Sequence, residues 1–104
     1  MSSRLEAFRT MAARDPKNPL ARFGLANELI KAGEYEEARS ALGEYLAMHD
    51  DEGAAFRLLA QACEKLGLVD DARGAYRRGI EAATRHGHAS MVDEYTMKLE
   101  DLED

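Results

Sequence analysis

Residues 19–52 read PLARFGLANELIKAGEYEEARSALGEYLAMHDDE, and residues 53–86 read GAAFRLLAQACEKLGLVDDARGAYRRGIEAATRH. Laid over each other, the two stretches agree at Ala21/Ala55, Leu25/Leu59, Ala26/Ala60, Lys31/Lys65, Gly33/Gly67, Ala38/Ala72, Arg39/Arg73 and Ala41/Ala75. Those are eight identities, where common residue frequencies give about 2 or 3. Asn27/Gln61, Glu36/Asp70, Glu37/Asp71, Leu42/Tyr76 and Leu46/Ile80 add conservative pairs. Gly53 and Gly87 are also 34 apart, so the glycines are read as two kinds of turn at one period, 33/67 and 53/87.

Each unit has two helical halves. Ala38, Ala41, Leu42, Tyr45 and Leu46 form one apolar stripe, and Ala72, Ala75, Tyr76, Gly79, Ile80 and Ala83 repeat it; steps of three and four mark one face of a helix. The preceding halves, about 19–32 and 53–66, are apolar on more than one face, as in a helix sandwiched between neighbours. No segment alternates with period two, so no strand is expected.

The pattern resembles the tetratricopeptide repeat, a 34-residue helix–turn–helix. Its aromatic–x2–Leu–Gly–x2–Tyr opening is similar to Phe56–x2–Leu59–Ala60–x2–Cys63. The first unit, Arg22–x2–Leu25–Ala26–x2–Leu29, departs at both aromatic positions. Ala38–x3–Leu42, Ala72–x3–Tyr76, the turn Gly33–Glu34–Tyr35 and the closing Asp15–Pro16 fit as well. The resemblance implies an all-α fold: antiparallel helix hairpins stacked as a short right-handed α-solenoid of about six helices. A single domain, 1–104, then divides into a leading half-repeat helix (3–14), repeat one (19–52), repeat two (53–86) and a capping helix (88–102). Asp93 and Glu94 stand where a further repeat needs Leu and a small residue, so the last helix is read as a cap. One hairpin cannot bury its apolar face alone; about three stacked units make a continuous core. Glycines inside helices cost roughly 1 kcal/mol each against Ala. Gly79 is read as permitting a close crossing, while Gly24, Gly43 and Gly74 have no account at this level.

Composition narrows the function. The 104 residues carry 14 Lys and Arg against 20 Asp and Glu, a net charge of −6. Nucleic-acid binders need a basic surface to release counterions, so no nucleic-acid partner is expected. No apolar run is long enough to span a bilayer and the first ten residues lack an apolar signal core, so no membrane partner is expected. The lone Cys63 fits a reducing compartment, and a small bacterial protein of the cytoplasm is the expectation.

Nothing points to catalysis or a cofactor. No Ser or Cys has a His placed to activate it, and Cys63 falls on the core side of its helix. His86 and His88 lack a third ligand at metal spacing. Asp50–Asp51–Glu52–Gly53 lacks the alternating acids and distal Glu of a calcium loop. The protein is therefore expected to be non-catalytic, with no cofactor and no metal. Arg73, Arg77, Arg78 and Arg85 are read as a solvent-facing ribbon, with a site for a phosphate or an acidic partner as the alternative.

In the family resembled, the first helix of each pair lines a concave face. That implies a groove for a protein or peptide segment, here carrying Phe23, Asn27 and Lys31 from one repeat and Arg57, Gln61 and Lys65 from the next, with Leu20 and Ala54 beside them. Amides both donate to and accept from a bound main chain. An arginine holds a carboxylate through two parallel bonds, and an aromatic ring is a common anchor. The chaperone-binding type grips a terminal carboxylate with a Lys/Asn clamp. Phe23 stands at its first Lys and Leu58 at its second Asn, so only Asn27 matches and that ligand is not expected. The leading reading is an adaptor or scaffold presenting this groove. The alternative is a structural scaffold that self-associates as a homo-oligomer through an N-terminal helix exposing Leu5, Phe8 or Met11.

Overall fold

Asn18 and Pro19 start the first repeat. The Asn18 side chain accepts from the main-chain N–H of Leu20 (3.0 Å) and Ala21, while Pro19 supplies a preset φ in the first turn. In the computed structural model, which describes residues 3–103, these residues open α2 (Pro19–Lys31). The other helices are α1 (Ser3–Arg14), α3 (Tyr35–Met48), α4 (Ala54–Lys65), α5 (Val69–Arg85) and α6 (Ala89–Leu102). Six helices and no strand are present among the described residues. Each helix packs on the next in the chain, and α2 also touches α4 directly. The result is a helical repeat array measuring 39 × 28 × 19 Å.

Three turns share one geometry. Gly33, Gly67 and Gly87 take φ of 77, 76 and 75°, a left-handed conformation that favours glycine. At each, the N–H of the following residue reaches back five residues: Glu34 to Leu29 (2.9 Å), Leu68 to Cys63 (2.8 Å) and His88 to Ala83 (2.8 Å). These are Schellman closures. Gly87 thus belongs with Gly33 and Gly67, and the sequence pairing of Gly53 with Gly87 is a coincidence of spacing. Gly53, at φ 136°, lies just before α4 in a longer linker governed by Asp51. The buried Asp51 carboxylate accepts from the N–H of Gly53 (2.8 Å) and Ala55 (2.9 Å) and from the Tyr45 hydroxyl (3.2 Å). Burial beside that carboxylate pushes the Tyr45 phenol up to about 12.

The core follows the apolar stripes. Leu29, Leu42, Cys63, Tyr76 and Tyr95 are fully buried. Arg22, at an aromatic position of the repeat pattern, keeps its side chain only 17% exposed and donates to the Pro16 carbonyl and to Glu44 (2.8 Å). Its stem packs while its charge stays paired. Two helical glycines mark close crossings: the Phe8 ring lies over Gly24, and the Tyr95 ring would sit 2.6 Å from a Cβ at Gly79. At Gly43 and Gly74 a Cβ would meet nothing within 4 Å, and the packing gives no reason for a glycine there.

Two expectations change. Leu5 is buried and Phe8 is half-buried, so of the three apolar residues expected on an exposed α1 only Met11 is exposed. The arginine ribbon on α5 is also not simply solvated. Arg73 donates to the Leu102 carbonyl and pairs with Asp70 (2.7 Å); Arg77 pairs with Glu103 (3.0 Å). Arg78 lies over the Phe56 ring (4.9 Å), and Arg85 pairs with Asp50 (3.1 Å). The ribbon fastens the end of α6 and the α3–α4 linker to α5.

Candidate functional site

The two helices that touch across the repeat boundary, α2 and α4, bring all six groove candidates onto neighbouring elements. Their surroundings differ. Phe23 is half-buried and meets Tyr45 edge-on, with centroids 5.7 Å apart and planes at 63°. It stays partly exposed while it packs against the core around Tyr45. Lys31 is exposed and lies 3.4 Å from Glu28, a buried carboxylate that Arg4 of α1 also approaches at 3.5 Å. Asn27 is half-buried, Gln61 and Lys65 are exposed, and none of the three makes a side-chain hydrogen bond or ion pair within the described residues. Leu20, at the start of the same face, is 80% exposed.

Arg57 is engaged differently. Its guanidinium donates two parallel bonds to Glu94 of α6 (2.7 and 2.8 Å) and lies 5.5 Å from the Tyr95 ring centre. The carboxylate it was expected to hold comes from this chain. The paired guanidinium draws the Glu94 carboxyl below the ordinary glutamate range. Beside the pair a shallow cleft of about 560 Å³ is lined by Arg57, His88, Met91 and Glu94. Tyr95 anchors this corner. Its ring packs against Gly79 and its hydroxyl donates to the Gly53 carbonyl at 2.7 Å. Burial, with the nearby Glu94 and Asp51 carboxylates adding to it, raises the phenol to about 12.

Sequence reasoning named Arg57 and missed Glu94 as its partner. The Glu94 signal was present, an acid where the repeat wants a small residue, but the pairing spans 37 positions and no local pattern reports it. The histidines also find partners: His88 with Glu52 (2.7 Å) and His86 with Asp50 (3.3 Å), joining the two linkers at that end. Among the described residues no three His, Cys, Asp or Glu side chains gather as a metal site requires. Cys63 is buried, and that burial raises its thiol, so it is a poor nucleophile. Among the described residues no helix is long and apolar enough to cross a membrane.

This geometry can be set beside known proteins. The tetratricopeptide repeat family model matches residues 23–86. A TPR repeat-containing protein of Pseudomonas aeruginosa is 30% identical over 99 residues, which span 95% of this chain and 94% of that protein. The solution structure of a protein from Bordetella parapertussis superposes with a TM-score of 0.83 at 25% identity, covering 98% of this chain and 89% of that one. A tetratricopeptide repeat domain protein from Salinibacter ruber, solved by solution NMR, gives 0.76 at 28% identity, covering 86% and 90%.

Proposed function

The chain belongs to the tetratricopeptide repeat family, and from that premise we propose that it is a non-catalytic adaptor holding an extended protein segment against the α2–α4 face. Tetratricopeptide repeats are generally protein–protein interaction modules, and members of the family are generally non-catalytic. The finer reading rests on one observation: the fold pairs most of its arginines internally yet leaves Asn27, Gln61 and Lys65 without side-chain partners among the described residues on one face. The two amides are 34 positions apart, so they recur at the spacing of the repeat and can pair with successive main-chain groups of an extended ligand. Lys65 and Lys31 favour a segment with acidic groups, Phe23 offers an aromatic edge, and Leu20 an exposed apolar contact. Arg57 closes the α6 end and orients the cleft wall. The reducing interior of a cell, the cytoplasm, is the proposed setting.

The test is capture of a partner from extract of the source cells. Asn27→Ala/Gln61→Ala/Lys65→Ala removes side chains with no bonds to the described residues, so helicity and Tm should hold while the enriched partner is lost. Undiminished capture by the folded triple variant defeats the groove reading.

A further inference from the structure

Among the described residues, two helices have a packed neighbour on one side only. α1 packs on α2, and α6 packs on α5. Inside the array, α3 touches both α2 and α4, and α5 touches both α4 and α6. Each second-of-pair helix is thus held between two first-of-pair helices. α1 is of the second kind and α6 of the first, so α6 of one molecule and α1 of another would continue the same alternation.

The outer stripes of these two helices are complementary. On α1, Ala7, Met11 and Arg14 step four, three and are all exposed, with Met11 at 45%, while Arg4 one step earlier is exposed but reaches Glu28 of α2 at 3.5 Å. Lys17 follows. On α6, Asp93, Met97 and Glu100 step four, three, with Asp101 alongside, and Met97 is 66% exposed. One stripe is a methionine followed by free cations, Arg14 and Lys17; the other is a methionine between carboxylates. Arg14, Lys17, Asp93, Glu100 and Asp101 have no ion-pair partner within the described residues. The opposite charges on these helices, Glu6 and Lys98, lie outside the two stripes in helical phase.

We propose that the acidic stripe of α6 docks the basic stripe of α1 from a second copy, joining molecules head to tail. The contact is heterologous, so it can propagate beyond a dimer. Its charges are exposed, so salt screens it. The α2–α4 face takes no part, and this inference stands or falls separately from the groove.

The test is sedimentation of the full chain over a concentration series. At about 10 mM salt the mean mass should rise with concentration, and at about 1 M salt it should fall to that of one chain. Met11→Asp sets a carboxylate against the acidic stripe, and Met97→Lys an ammonium against the basic one. Both sites are exposed, so circular dichroism should match the parent. Each variant alone should associate at least about tenfold more weakly than the parent. An equimolar mixture should associate again, because each supplies the end that the other lacks. A parent chain that stays monomeric at low salt overturns the proposal. So does a folded Met11→Asp or Met97→Lys chain that associates as the parent does, or a mixture no better than its components.

Discussion

Phe23 and Arg57 occupy the same place in consecutive repeats, and the fold gives them opposite surroundings. Phe23 leans on Tyr45 within its own repeat and leaves the face beside it open. Arg57 reaches out of its repeat to Glu94, and with Tyr95 it binds α4 to α6. The two halves of the face therefore differ: Arg57 is engaged by α6, while Gln61 and Lys65 further along α4 are exposed. The repeat sets where side chains project; the next helix decides which of them remain available.

The largest effect should come from removing the anchor of the closed end. Tyr95→Ala leaves a cavity at Gly79 and frees the Gly53 carbonyl, and should cost about 3–5 kcal/mol. Hydrogen exchange should then report α6 opening before α2. Equal loss of protection in both helices would erase the distinction. Gly79→Ala attacks the same crossing from the other side. Its Cβ would meet the Tyr95 ring at 2.6 Å and the Phe56 Cβ at 3.0 Å, for about 1–3 kcal/mol by thermal denaturation.

Gly43→Ala reverses the sign. Nothing stands within 4 Å of the new methyl group and the site is exposed, so the helix gains up to about 1 kcal/mol and Tm rises. A lower Tm would mean that Gly43 carries a packing duty absent from this structure.

The smallest effect is pH-dependent. Glu94 titrates below its ordinary value of 4.5 because Arg57 holds the charged form. Its contribution is present above that value and is lost as pH falls through the lowered one. Both partners are at least a third exposed, so the contribution is under about 1 kcal/mol. Between pH 6 and acid, the parent should lose slightly more stability than Glu94→Gln. Parallel acid curves would remove Arg57–Glu94 from the account of the closed end.

The fold was legible because its information is periodic. The stripe of Ala38, Leu42 and Tyr45 recurs at Ala72, Tyr76 and Gly79, and each helix buries that stripe against a neighbour in sequence. The pair Gly53/Gly87 shows where periodicity misleads: equal spacing hid a Schellman turn at one and an Asp51-governed linker at the other. Gly24 could not be read because its reason, the Phe8 ring, sits on another helix. The six groove residues were legible as positions, since helical phase fixes direction. Which were engaged was not, because Glu94 and Tyr45 reach Arg57 and Phe23 through tertiary contacts. The α5 arginines failed for the same reason, as their partners Glu103 and Asp50 lie 26 and 35 positions away.

The most direct measurement is photo-crosslinking in the source cells, with a photoreactive side chain placed at Gln61 on α4 or at Gly43 on the exposed side of α3. The account predicts a discrete partner adduct from position 61 and none from position 43. An adduct from position 43, with position 61 silent, would contradict it.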